Sequence, residues 1–308
     1  MSFKQYDNLI IDGNNFLFRA FYAKRAPKYM NGLNVTPIHQ FLSMLKSSTD
    51  NFKPSQVILT WDRKKNSTKR NFRKDLVPYK ENRPDNDKME ELHQVINHVQ
   101  RFVDVLGIHT YYPVNLEADD VIRFLTLNEE KSTLIISSDR DLIQLVNDKV
   151  SLYLPNKGEI VDAENFETFA QVPTPEMFVV YKSIMGDISD NIEGLTKYGP
   201  VRGKALTEKI MKHGIIDWSI PDLTDDQKDI LKKNLQVIDL KNTEVLCPDE
   251  YDFYQQQKEY MNVEYDADSL RHLFQEYQLN SFLNNFNEWN HLFNKNKDDS
   301  DLLSRIRL

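Results

Sequence analysis

Carboxylates fall in three tight clusters between Glu117 and Asp190: Glu117-Ala118-Asp119-Asp120, Asp139-Arg140-Asp141 and Asp187-Ile188-Ser189-Asp190. Each alone reads as a helix start or cap. Seven such acids converging on one crevice would repel one another strongly unless divalent cations sat among them. The seven histidines are dispersed and Cys247 is the single cysteine, so neither a thiolate site nor a disulfide framework is available. Any metal is therefore expected to be hard and oxygen-ligated, Mg²⁺ or Mn²⁺, and the chemistry metal-assisted.

The elements around the clusters explain how the acids could meet. Thr133-Leu134-Ile135-Ile136-Ser137-Ser138 is a buried strand pattern, so Asp139 and Asp141 follow its C-terminal end, where open α/β sheets form their crevice. Glu117, Asp119 and Asp120 precede the helical pattern Val121, Ile122, Leu125, on a first turn where the helix dipole favours acids. A helix over Pro175 to Met185 delivers Asp187 and Asp190. Upstream, the strand Asn8-Leu9-Ile10-Ile11 runs into Asp12-Gly13-Asn14-Asn15, and the strand Val57 to Trp61 ends in Asp62. Strand, acid and helix in repetition predict an α/β fold with a mostly parallel sheet. Further helices are expected over about 88–106 and Asp225–Leu240, and strands at Ile108 to Tyr112 and Val150 to Leu154. Over Ser269–Phe293, the stripe of Leu270, Leu273, Phe274, Tyr277, Phe282, Leu283, Phe286 and Trp289 reads as core.

At 308 residues and 40% hydrophobic composition the chain can bury a sizeable core. Without a signal-peptide pattern or an apolar run of membrane-spanning length, it is expected to be a soluble, intracellular protein. The net charge of −8 argues superficially against nucleic acid, but the distribution argues for it. Residues 63–83 hold nine Lys or Arg against Asp75 and Glu81, and residues 195–213 hold Lys197, Arg202, Lys204, Lys209 and Lys212 against Glu208 alone. Basic stripes of this kind are the footprint of phosphate binding. The segment 63–87 is poor in apolar residues and carries Pro78 and Pro84, so it is expected to lack a core face and to order on substrate. Gly194, Gly199 and Gly203 lie between two helical patterns and would let backbone N–H groups approach a phosphate.

In this order the motifs resemble the 5′-nuclease (flap endonuclease) superfamily: bacteriophage 5′-exonucleases, phage RNase H enzymes and the nuclease domain of bacterial DNA polymerase I. The resemblance runs from about Leu9 to Leu240. It rests on Asp12-Gly13-Asn14-Asn15, Asp62 with Phe72-Arg73 and Tyr79-Lys80-Glu81-Asn82-Arg83, Glu117-Ala118-Asp119-Asp120, Ser138-Asp139-Arg140-Asp141 and Gly186-Asp187-Ile188-Ser189-Asp190-Asn191. Residues 265–289 look like the family's closing helix.

The resemblance implies a PIN-like, mostly parallel sheet flanked by helices, with a helical arch and a helix-hairpin-helix subdomain. It divides the chain into a nuclease core at 1–185 with the arch at 63–87, a DNA-binding and closing helical region at 186–293, and a flexible tail at 294–308. One metal is implied at Asp12, Asp62, Glu117 and Asp119, a second at Asp139, Asp141, Asp187 and Asp190, with Asp120 between them. Lys80 and Arg83 match the family's catalytic basic pair. Arg73 and Tyr79 of the arch are expected to bind DNA, as are Gly194, Gly199, Arg202, Gly203 and Lys204 of the hairpin, where a monovalent cation is also implied. Lys197 and Val201 depart from the pattern, standing where the family usually has glycine and often lysine.

The implied activity is structure-specific 5′→3′ exonuclease and flap endonuclease cleavage of DNA and RNA–DNA hybrids, removing primers or flaps in replication. The expected protein is a monomer in the cytoplasm (a host's, if phage-encoded), with a replication partner for its C-terminal region and no membrane. The lack of an attached polymerase leans towards a phage source. Two rivals stay open: a catalytically silent protein that binds branched DNA, and a PIN-type ribonuclease. A complete acidic set weighs against the first, and length and the basic 63–87 segment weigh against the second.

Overall fold

A computed structural model describes residues 4–62, 68–81, 87–113, 116–127, 130–212, 214–242 and 264–294. The elements are β1 (Asn8–Asp12), α1 (Gly13–Phe21), β2 (Tyr29–Met30), β3 (Leu33–Asn34), α2 (Thr36–Phe52), β4 (Gln56–Thr60), α3 (Thr68–Leu76), α4 (Asp87–Val105) and β5 (His109–Tyr111). There follow α5 (Ala118–Thr126), β6 (Thr133–Ile136), a 3₁₀ helix (Arg140–Leu145), β7 (Val150–Leu154), β8 (Glu159–Val161), α6 (Phe166–Ala170), α7 (Pro175–Met185) and α8 (Pro200–Ile210). The order closes with β9 (Met211–Lys212), β10 (Ile215–Ile216), α9 (Asp225–Ile238) and three helices we number α10 (Ala267–Glu276), α11 (Asn280–Asn284) and α12 (Phe286–Phe293). The fold is mixed α/β with a mainly parallel central sheet flanked by helices. Among the described residues, no helix is long and apolar enough to cross a membrane.

Contacts divide the chain into two compact units. The first comprises residues 1–59, 86–111 and 260–308, and its strands run in the order β5-β4-β1. Leu9, Ile10 and Ile11 of β1 are all buried, as befits a strand covered on both faces. Helix α2 packs on α1 and α4, α10 packs on α4, and α12 packs on α2. The C-terminal stripe is core in this unit, where Phe274 and Phe282 each meet Trp289 with ring centroids 5.1 Å apart. The expected helical stretch is broken into three helices, its first break marked by Gln278 with φ 50°.

The second unit comprises residues 60–85 and 112–259. Here β6 pairs with β7 in parallel, Thr133 opposite Val150 and Ile136 opposite Tyr153. The antiparallel β8 adds the edge, Leu154 opposite Glu159. Every residue of β6 is buried, so the acids that matter must lie past its end. Helix α7 has the bounds its sequence suggests: the Thr174 side chain accepts from the Met177 N–H, Pro175 occupies the first turn, and Gly186 ends it at φ 73°. Its face packs on α8 and α9, and Val180, Ile184, Leu195, Leu206, Ile210 and Leu231 form one apolar cluster.

Gly194 is where the chain returns across the end of α7. A Cβ there would sit 2.3 Å from the Met185 carbonyl oxygen, a backbone atom that cannot swing aside. The buried Asn234 amide ties the same return by donating to Ser183 O at 2.9 Å and Glu193 O at 2.8 Å. Gly194→Ala is therefore expected to cost about 1–3 kcal/mol, measured as a lower midpoint in urea unfolding with an unchanged slope.

Candidate metal centre

Helix α5 begins the site. Glu117 is its N-cap, and its N–H donates to the Asp120 carboxylate at 3.0 Å, so the Glu-x-x-Asp spacing locks two acids against one helix end. The Ala118 N–H donates to Asp62 at 2.8 Å, bringing the acid after β4 to the same first turn. Glu117, Asp119 and Asp120 each offer a carboxylate oxygen within 4.8 Å of the others, and Glu117 and Asp120 are buried.

Such a group needs counter-charge, and Arg73 of α3 supplies it. Its guanidinium pairs with Glu117, lies 3.4 Å from Asp120 and 3.9 Å from Asp119, and donates through Nε to Val237 O at 3.2 Å. Only 1% of Arg73 is exposed. Tyr79 covers it, 2% exposed, with its hydroxyl donating to Glu117 at 3.2 Å and the guanidinium carbon 5.3 Å from its ring centre. Lys80 completes the lining, Nζ 3.0 Å from Glu117 and 4.0 Å from Asp190. Burial works against its charge, but Glu117, Asp190 and Asp119 outweigh that and raise its pKa above the ordinary lysine value.

These contacts bear directly on the expected arch. Arg73 and Tyr79, expected to bind DNA, are interior in this structure, because three carboxylates and a carbonyl satisfy the guanidinium and the phenol closes over it. The segment around them does have a core face: Leu76 and Val77 pack with Tyr79, Val179, Ile192, Val237 and Ile238. Lys80 lies beyond the end of α3. It sits in a turn at φ 56°, its N–H donating to Asp190 O at 2.8 Å while Asn191 Nδ2 donates to Pro78 O at 2.7 Å. Arg83, with residues 63–67 and 82–86 of the expected arch and the tail from 295, lies outside the described residues.

Past the end of β6, the Asp139 N–H donates to Ser137 Oγ at 3.0 Å, and the Asp139 carboxylate accepts the Asp141 N–H at 2.8 Å. Gly186 turns the chain so that the Asp187 carboxylate accepts from the Ser189 N–H at 2.7 Å and its hydroxyl at 2.6 Å. Sequence reasoning passed over the residue between these acids. Lys182 of α7 pairs with Asp141 and lies 2.7 Å from Asp187. Its one signal was the lone cation of a mostly apolar helix, five residues before Asp187. Asp12 belongs to the other unit, where it caps α1 by accepting the Asn15 N–H at 3.1 Å.

The protonation of these acids diverges. Burial, joined by Asp120 and Glu117 against Arg73 and Lys80, raises Asp119 to about 8. Asp139 is raised too, by burial and then by Asp190 and Asp187, against Lys182 and Lys80. Burial would also raise Asp187, but Lys182 and Ser189 outweigh it and hold it at about 2.

The glycine-bearing turn lies between α7 and α8. Gly199 caps α8 with open space where a Cβ would be, and Gly203 approaches the Met185 sulfur. Lys197, where glycine was expected, has φ 72°, the backbone that favours glycine. Of the five basic residues here, Lys204, Lys209 and Lys212 pair with Glu167, Asp222 and Asp217. Among the described residues Lys197 and Arg202 have no carboxylate partner, and Arg202 reaches only Lys197 O at 3.5 Å. Val201 beside them is 85% exposed.

Comparison with known proteins follows the same lines. Residues 7–171 match the family described as 5′-3′ exonuclease, N-terminal resolvase-like domain. The chain is 32% identical over 207 residues to a 5′-3′ exonuclease of Buchnera aphidicola subsp. Baizongia pistaciae, covering 64% of each. It is 30% identical over 217 residues to DNA polymerase I of Lactococcus lactis subsp. cremoris, covering 65% of this chain and 24% of that relative, so it spans only that fraction of the polymerase's length. The crystal structure of the bacteriophage T5 flap endonuclease with DNA and metal ions has the same fold, with a TM-score of 0.66 at 20% identity over 82% of this chain and 97% of that one.

The shifted acids give a pH dependence. A carboxyl raised from 3.8 to about 8 contributes stability that is full below 3.8 and lost as pH rises through about 8. Asp187 does the opposite, its contribution present above 3.8 and lost only as pH falls through about 2. In EDTA the protein is therefore expected to melt at progressively lower temperature from pH 5 to pH 9, and Asp119→Asn to flatten that slope. Calorimetric melts in EDTA check it; an equal slope in the variant would remove Asp119 as the source.

Proposed function

Because the chain belongs to the 5′-3′ exonuclease N-terminal domain family, we propose that it is a structure-specific 5′→3′ exonuclease and flap endonuclease. It would hydrolyse phosphodiester bonds in DNA and RNA–DNA hybrids with two divalent ions, Mg²⁺ or Mn²⁺. The observation that carries this reading is the gathering of Glu117, Asp119 and Asp120 within 4.8 Å, with Asp62 hydrogen-bonded to the same helix end. All the donors are oxygens, which suits a hard, octahedral ion. We assign Asp62, Glu117, Asp119 and, from its motif, Asp12 to one ion, Asp139, Asp141, Asp187 and Asp190 to the other, and Asp120 between them. Ions so held would supply the charge that activates a water and stabilises the leaving 3′-oxygen.

The remaining work falls to the chain's own groups. Lys80 keeps its proton through neutral pH and would donate to the scissile phosphate as charge develops there, with Arg83 as its partner. Arg202 is the best candidate for a duplex phosphate, since Lys204 is paired with Glu167. The N–H groups around Gly194, Gly199 and Gly203, with a monovalent cation, would hold the same backbone. In this reading 1–185 acts as the nuclease core, 186–293 as the DNA-binding and closing region and 294–308 as a tail for a replication partner. The protein would act as a cytoplasmic monomer that removes RNA primers or 5′ flaps.

The test uses labelled flap, nicked and RNA-primed duplexes with Mg²⁺, the product lengths being read on a gel. Asp187→Asn is expected to slow single-turnover cleavage by at least ~10²-fold while flap binding in Ca²⁺ is retained. Cleavage by the variant at the wild-type rate would reject the assignment.

A further inference from the structure

The acids of the site have two kinds of counter-cation. Arg73 is enclosed: 1% exposed, roofed by Tyr79 and tied to Val237 O, it has no path out. Lys182 differs. Its ammonium bridges Asp141 and Asp187 at the end of a four-carbon stem, with 12% of the side chain exposed. The backbone of Lys182 is held in α7, accepting the Gly186 N–H at 2.8 Å, so only the stem need move for the charge to leave. Lysine stems carry many rotamers, and the ammonium can keep its hydration elsewhere.

We propose that Lys182 is a displaceable internal counter-cation, holding Asp141 and Asp187 together in the metal-free protein and yielding their oxygens when a divalent ion binds. An ammonium wedged between the two carboxylates competes with a divalent ion for their oxygens, since like charges at that separation repel. Lys182 therefore keeps the acids from forcing the fold apart before loading, and it weakens ion binding at that position. It acts as a positioning residue on its neighbours. The inference rests on the two-metal reading above.

The probe is Mn²⁺ without nucleic acid, followed by electron paramagnetic resonance and calorimetry, alongside melts in EDTA. Lys182→Met and Lys182→Gln are both expected to bind the Mn²⁺ held by Asp141 and Asp187 about tenfold more tightly and to melt at lower temperature in EDTA. Lys182→Arg restores the wild-type pattern in both. Unchanged or weaker Mn²⁺ binding in the neutral variants would overturn the proposal, making Lys182 a fixed tether or a helix-end charge. Asp187→Asn separates the two readings: loss of one Mn²⁺ supports the metal assignment whatever Lys182 does. No Mn²⁺ uptake by the wild type would overturn both.

Discussion

The pairing of Arg73 with Glu117 and Asp120 is the contact on which the second unit depends. Buried carboxylates on one helix turn would otherwise repel in a medium that screens poorly. Breaking a buried pair by removing one partner typically costs about 3–5 kcal/mol, a large part of a domain's stability. The pairing also orders chain that would have little reason to fold. Once the guanidinium is drawn under the acids, α3 lies against α9, Tyr79 closes over it, and Lys80 follows into its turn against Asp190. The charge problem of the site and the folding of a basic segment thus have one solution.

Much of this was legible in the sequence where the causes are local. Thr174-Pro175 and Gly186 bound α7 by rules of capping, and runs such as Thr133–Ile136 end in polar residues where a parallel sheet opens. The acids after those runs could be named for the same reason. The partner of Arg73 lies 44 residues away at Glu117, and no local rule connects them. A stretch with few apolar residues looks exposed when its burial is secured by charge. Lys182 was hidden differently: a single lysine on an apolar helix usually snorkels to water, and only the fold brings Asp141 to it. The break at Gln278 carries no glycine or proline to announce it. Lys197 departs from the family pattern, and its φ of 72° gives the physical reason that glycine would be preferred there.

The same arrangement reconciles an acidic protein with the polyanionic substrate proposed for it. Several acids of the −8 chain are gathered in the site, where Arg73, Lys80 and Lys182 pair with them. Around the α7–α8 turn and the end of α8, Lys204, Lys209 and Lys212 rest on Glu167, Asp222 and Asp217, while Arg202 and Lys197 have no carboxylate partner among the described residues. A small number of well-placed contacts would then set register on a duplex, which accords with phosphate contacts positioning a protein rather than reading sequence.

The central claim is that these acids hold two hard ions at separate positions. Crystals grown with Mn²⁺ and measured at its absorption edge test this most directly. The account predicts two anomalous peaks about 4 Å apart, one against Glu117 and Asp119 and the other against Asp141 and Asp187 with the Lys182 stem turned away. A single peak, or none with Lys182 still bridging its two acids, would contradict it.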